Sequence, residues 1–467
     1  MNRPNFPTPN QEAAAAALEH LTAWASHTGW RDIPEPVRRR AARVLIDDLS
    51  AIVAGRDEPE VRQLQDRMLR FAGPPEATVF NGRGGGADRY TAATANAASG
   101  CWCELDEGYR VTICHAGIYV LPALLAEAEA EGAPVTDVLR CLAVAYEVVT
   151  RIARGFPGTT RNLHPHGCFA VIGAAIGVGL LRGYDASGLY DVLNTACCMV
   201  TPSPFDQAYR GALVRNVWSA IGAGNGMRAA DWANMGITGL DTAPVRVFAQ
   251  TFGAETDAAA ITEGLGDDWA ILSNFERRHA CCQFGHSAIE STLTLLAGMP
   301  EGRVVGDLEQ IVVETHPLGL NLDTVTPTTT LGARFSMPHI MAATALLGHA
   351  DVSAFTSERI ADPRIAALRE RVRLRPYEPT PAPPLDRPAR VTWIFADGTK
   401  QTAECPSARG EPGRPFTETE ILEKSSLITA SVYPALADTA KALLDLDGAV
   451  MGSSWRSVVE SFSNRAP

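Results

Sequence analysis

The sequence predicts a mainly α-helical protein in which a large all-helical domain carries a smaller α+β domain. Three observations predict it. Between residue 11 and about residue 265, apolar side chains recur at helical spacing almost throughout. Near residue 300 the texture changes: "QIVVETH" reads as a strand, and "ARVTWIFADGTKQTAEC" as a hairpin turning at Asp397-Gly398. After "SARGEPGRPFTETE" the helical spacing returns. The expected boundaries are 1–268 with 412–467 for the helical domain and 269–411 for the α+β domain. A chain of 467 residues also exceeds the ~250–300 residues at which one hydrophobic core stops growing.

The start, "MNRPNFPTPNQE", is polar and Pro-rich and lacks the pattern of a secretion signal; "AAAAALEHLTAWA" then reads as an amphipathic helix. "IPEPVRRRAARVLIDDLSAIVAG" carries a helical repeat through Val37, Ala41, Leu45, Leu49 and Ile52 and closes at Gly55. "LPALLAEAEAEGAPVTDVLRCLAVAYEVVTRIARG" reads as two helices punctuated by Gly132 and Pro134, with Thr136 as N-cap of the second. "LHPHGCFAVIGAAIGVGLL" is a buried helix, since Cys168–Leu181 falls short of the ~20 residues a membrane span needs. "SGLYDVLNTACCMV" is a helix stopped by Pro202 and Pro204, and "RNVWSAIGAGNGMRAADWANMGITG" follows. Its Gly222, Gly224 and Gly226 mimic a phosphate-binding run, but no strand precedes them, so close helix packing is expected instead. In the smaller domain "ARFSMPHIMAATALLGHA" is a helix entered through Pro338, and "RIAALRERVRLRPY" is expected to be a second one. "PYEPTPAPPLDRP" is a Pro-rich connection. The C-terminal helices "TETEILEKSSLITA" and "YPALADTAKALLDL" are expected to return to the large domain.

The net charge of −12, without a basic tail or Lys/Arg block, argues against nucleic-acid and anionic-membrane partners. A local cluster of Arg can still reverse the field inside a cleft, so small acidic substrates fit. Ten cysteines without disulfide spacing point to reduced thiols in a cytoplasmic protein.

Four stretches can carry chemistry. In "CELDEGYRVTICHAGIYVLPALLA" the acids Glu104, Asp106 and Glu107 precede His115. His164 and His166 open an apolar helix. "ERRHACCQFGHSAIEST" holds Arg277, Arg278, His279 and His286, and "ARFSMPHIMAA" holds Arg334, Ser336 and His339. Of the ten histidines, five (115, 164, 166, 286 and 339) stand at or near predicted helix starts. Such an end offers unpaired N–H groups and partial positive charge, binds carboxylates, and favours a neutral imidazole that can act as a base. Each histidine alone is more often a cap than a catalyst. No HExxH or CxxC pair marks a metal site, Pro165 makes the His164/His166 pair a poor one, and no GxSxG marks a serine hydrolase.

At these four places the sequence resembles the MmgE/PrpD family, which includes 2-methylcitrate dehydratase, cis-aconitate decarboxylase and iminodisuccinate epimerase. The resemblance covers nearly the whole chain. It is most specific in "ELDEGY", "HAGIYVLPALLA", "LHPHGCFAVIGAAIGVG", "GNGMRAADWANMGITG" and "ARFSMPHIMAATALLG". It implies a helical domain built from both chain ends, an α+β lid domain and an active site between them. It further implies a homodimer, no metal or organic cofactor, and a small di- or tricarboxylate substrate that loses a proton or CO2 next to a carboxylate. His115, His164 and His286 match family histidines. Arg215 stands where many members have Lys, and His339 where some have Tyr; His166 and the acids Glu104 and Glu107 also depart from the usual residues. The expected catalytic residues are His115, His164, His286 and His339. The expected substrate-binding residues are Arg215, His166, Glu104, Arg278, Arg334 and Ser336. The leading expectation is a cofactor-independent lyase, a dehydratase or decarboxylase. A two-base epimerase and a non-catalytic carboxylate-binding protein are the alternatives.

Overall fold

The structure, a computed structural model, describes residues 8–463. Most of the polar, Pro-rich start, residues 1–7, lies outside the described residues. The first helix, Pro9–His27, begins at a capping box in which the Thr8 hydroxyl accepts from the Gln11 N–H. Glu35–Ala54 follows. It ends at Gly55, where Ser99 packs so closely that a Cβ would stand 2.3 Å from the Ser99 carbonyl oxygen.

Three helices, Ala116–Glu131, Pro165–Leu181 and Trp218–Asn234, pack together at the centre of the first core. The glycine run is a packing device, as its helical setting predicts. A Cβ on Gly226 would lie 2.5 Å from the Ala174 Cβ and 2.7 Å from the Ala175 nitrogen, and Gly222 meets Ala170 and Val171 in the same way. Gly226→Val is therefore expected to overpack this contact and cost about 3 kcal/mol. A urea titration, comparing midpoints at constant slope, checks it.

Two sequence expectations are corrected. Thr136 is not the N-cap of Val135–Gly155; Pro134 is, with its carbonyl accepting the Val138 N–H. The Val135 N–H is drawn instead to the Ser453 carbonyl, so a tertiary contact sets the start. The stretch "RIAALRERVRLRPY" is not one helix. It is helical over Pro363–Arg369 and a strand over Val372–Pro376. There the two-residue alternation of Val372 and Leu374 with Arg373 and Arg375 prevails over helical propensity.

That strand edges a four-stranded sheet in the order Val372–Pro376, Leu308–Thr315, Ala389–Phe395, Lys400–Cys405. The first pairing is parallel and the other two antiparallel, and Gly398 takes the positive φ that the hairpin turn requires. The helices His286–Ala297 and Met337–Leu347 cover the sheet and share the second core with it. The C-terminal helices place Ile421, Leu436, Leu443, Trp455 and Phe462 in the first core. No helix among the described residues is long and apolar enough to cross a membrane.

Candidate active site

The site is assembled by a loop between Arg89–Gly100 and Ala116–Glu131. A two-residue ladder, Gly108 with Phe275 and Tyr109 with Asn274, ties this loop to the segment that leads into the second core. Glu104 sits in the loop with φ of 56°, a left-handed conformation that costs a non-glycine residue energy and so must be held in place by its contacts. Its carboxylate bridges two guanidiniums, pairing with Arg215 through one oxygen and with Arg277 at 2.7 Å through the other.

Glu107 fixes the other end of the loop. Its carboxylate accepts the Gly117 N–H at 2.9 Å, the Tyr146 hydroxyl at 2.8 Å and the Asn274 amide at 3.1 Å. Burial pushes this carboxyl up to about 8; the three donors act in the other direction, and the Asp47 charge adds to the rise. Glu107 in the folded protein thus keeps its proton between the ordinary Glu range, ~4.3, and its folded value, where the unfolded chain has lost it. This carboxyl's own contribution to stability is expected to fall through that window as pH rises, while the buried His164 and His339, pushed down, contribute in the opposite direction up to the ordinary His range. Urea unfolding of wild type and Glu107→Gln from pH 5 to pH 8 isolates it: the stability advantage of the wild type is expected to shrink as pH rises.

His115 ends the loop as N-cap of the next helix. Its Nδ1 lies 2.8 Å from the Glu107 carbonyl oxygen and 2.9 Å from Asp106 Oδ2. Two acceptors at Nδ1 place the proton there and make Nε2 the basic nitrogen. Arg277 Nη2 stands 3.2 Å from Nε2. Burial works against the Asp106 charge, yet Arg277 and then His115 hold this carboxyl well below the usual carboxylate range. An ionised Asp beside Nδ1–H orients the ring and fixes its tautomer.

His164 caps Pro165–Leu181, held by a backbone bond from its N–H to the Ser203 carbonyl at 2.6 Å. Arg215 Nε donates toward its Nε2 at 3.2 Å, and the His166 N–H toward its Nδ1 at 3.3 Å. A neutral imidazole has one acceptor nitrogen, so the two donors compete for it. Burial, and next the Arg215 charge, push His164 well below its ordinary value, which keeps it neutral. Arg215 lies in the 3-10 turn Leu213–Val217 and also donates to the Cys101 carbonyl at 3.3 Å. Its Nη2 has no hydrogen bond among the described residues.

Glu104, His115, His164, Arg215 and Arg277 line one cavity of about 60 Å³, together with Arg387. Phe205, Tyr209, Phe275, Phe284 and Phe335 form its aromatic wall. The wall draws on both cores: the loop, His164 and Arg215 come from the helical part, and Cys282 to Phe284, Phe335 and Arg387 from the part built on the sheet.

The other expected site residues stand elsewhere. His166 is one layer back, its Nδ1 2.8 Å from the Tyr119 hydroxyl and its ring 5.2 Å from that of His115. His286 donates from Nε2 to the Cys281 carbonyl at 3.2 Å and does not line the cavity. His339 has both ring nitrogens engaged, Nε2 with the Ala354 carbonyl at 3.0 Å and Nδ1 with Arg369 at 3.2 Å; burial pushes it down to about 4. Ser336 caps Met337–Leu347 through the His339 N–H. Arg334 pairs with Glu58 at 2.7 Å. Arg278 is exposed beside a separate surface pocket with His279 and His349. Of the five histidines at or near predicted helix starts, His115 and His164 line the cavity and His166, His286 and His339 do not.

Arg277 and Asp106, which are not among the expected site residues, both contact His115. Alternation along "NFERR" carries a usable signal for Arg277: Phe275 and Arg277 face the cavity, Glu276 turns to Arg40 and Arg43, and Arg278 faces solvent. One buried set, Cys101, Asp106 and His166, brings possible metal ligands within 4.8 Å of one another. The Arg215 charge bears on all three, and burial pushes the Cys101 thiol well up, so a dication is disfavoured there.

Two family models match the chain. Residues 19–256 match the MmgE/PrpD N-terminal domain and residues 279–447 the MmgE/PrpD C-terminal domain. Cis-aconitate decarboxylase of Aspergillus terreus is 26% identical over 309 residues, which covers 62% of this chain and 62% of that protein. The chain thus spans less than two thirds of that relative. Cis-aconitate decarboxylase-like protein oryM of Aspergillus oryzae is 24% identical over 450 residues, covering 88% of this chain and 90% of that protein.

Proposed function

The chain belongs to the MmgE/PrpD family, and from that premise we propose that it is a lyase that removes CO2 from a small di- or tricarboxylate without a metal or organic cofactor. One observation carries the reading: a single Asp106–His115 pair faces Arg215 and Arg277 at an aromatic-walled cavity. The guanidiniums hold the substrate through charge-assisted hydrogen bonds. The C–C bond to the departing carboxylate breaks, CO2 leaves, and its electron pair stays on the adjacent carbon, stabilised by the neighbouring carboxylate. His115, oriented by Asp106, passes a proton from Nε2 to that carbon and takes its replacement from solvent.

The proton inventory favours decarboxylation over the other reactions. Epimerisation needs an acid–base group on each face, and dehydration needs a base and an acid. His339 is committed to Arg369 and Ala354, and both ring nitrogens of His164 face donors, Arg215 Nε and the His166 N–H, which leaves it no free basic nitrogen. That leaves His115. The names of the similar fungal proteins support the same direction.

The test is CO2 release from a panel of C4–C6 polycarboxylates, starting with cis-aconitate. The reading predicts stoichiometric CO2 from at least one of them. Water loss or proton exchange without CO2 contradicts it, and binding without turnover makes the protein a carboxylate-binding homologue. Dialysis against EDTA is expected to leave the rate unchanged. Loss of activity that one divalent ion restores would point to Cys101, Asp106 and His166 instead.

A further inference from the structure

Arg387 is the one cavity guanidinium that makes neither a hydrogen bond nor an ion pair with the described residues, and its Nε is shielded from solvent. Such a group is costly to keep without an anion. Its surroundings hold it in place. The Ser287 hydroxyl donates to its carbonyl at 2.7 Å, and its guanidinium stacks over Phe284 at 4.7 Å. The two nearby carboxylates are engaged elsewhere. Asp386 pairs with Arg110, and Glu411 lies 3.1 Å from Arg110 and accepts from Gln283 at 3.2 Å. Burial, and next the Arg110 charge, push Arg387 down to about 10, as expected for a cation short of compensation. Arg215 and Arg277, by contrast, already share Glu104.

We propose that Arg387 is a specificity-determining residue that receives a second carboxylate of the substrate, the one that does not react, so that the cavity selects polycarboxylates over monocarboxylates. The inference rests on the reading of the cavity as a carboxylate site. The Pro-rich connection before it delivers the residue, and the Arg110–Asp386 pair ties that connection to the loop that carries His115. A planar guanidinium stacked on a ring, with its donors free, suits bidentate capture of a carboxylate.

Titration calorimetry with succinate, maleate, citrate and cis-aconitate, each beside a monoamide of the same acid, tests it. Wild-type protein is expected to bind at least one acid ten-fold or more tighter than its monoamide. Arg387→Gln is expected to abolish that preference by weakening the acid and leaving the monoamide unchanged. Arg387→Lys keeps the charge without the fork and is expected to retain part of the preference; it carries the test if the Gln variant does not fold. Full preference in the variant that folds overturns this inference alone. If the wild type binds none of the acids, the carboxylate reading of the cavity falls, and this inference with it.

Discussion

His115→Gln is expected to lower kcat by about 10²–10⁴, the usual size of general acid–base catalysis, while changing KM little. Gln is close to His in size and can still donate to the Glu107 carbonyl and Asp106, which His115 Nδ1 contacts at 2.8 and 2.9 Å. It cannot carry a proton to carbon. The loss therefore falls on the chemical step, and the limb of the pH–rate profile that reports the proton donor disappears. His339→Gln and His286→Gln serve as controls. Both residues hold backbone carbonyls outside the cavity, so their effects are expected on stability. A full kcat loss in either of these with none in His115→Gln would move the proton-transfer site.

Arg215→Met is expected to act mainly on binding. Removing one partner of a buried charge pair costs about 2–5 kcal/mol. Much of that is expected to appear as a rise in KM of thirty-fold or more, because the Nη2 group left free for substrate is lost. Arg277 still neutralises Glu104 through the 2.7 Å pair, so the fold is expected to survive. Arg215→Lys restores the charge but not the parallel pair of N–H donors, and is expected to recover only part of the affinity. Steady-state kinetics on both variants separate the two effects. A fall in kcat with unchanged KM would assign Arg215 to the transition state alone.

The helices were legible because apolar spacing and Gly/Pro punctuation act locally. The same locality misled at Val372–Pro376, where a strand pairs with Leu308–Thr315 more than fifty residues away. The candidate site was legible at His115 and His164, where a family motif and a helix start coincide, and at Glu104 and Arg215 through the family motif alone. At His286 and His339 the helix start was visible in sequence, but the carbonyls and the guanidinium that occupy their ring nitrogens were not. Arg387 carries no local mark at all. It reaches the cavity because a Pro-rich connection is tied by Asp386 to Arg110, a partner 276 residues away.

The central claim is that one proton passes from His115 to the carbon that loses CO2. Proton NMR of the wild-type protein in deuterated buffer, with the polycarboxylate that releases CO2, measures it directly. The account predicts one deuterium per CO2, delivered to one face of that carbon, with no exchange into unreacted substrate. Deuterium entering recovered substrate without CO2, or label scrambled over both faces, would contradict it.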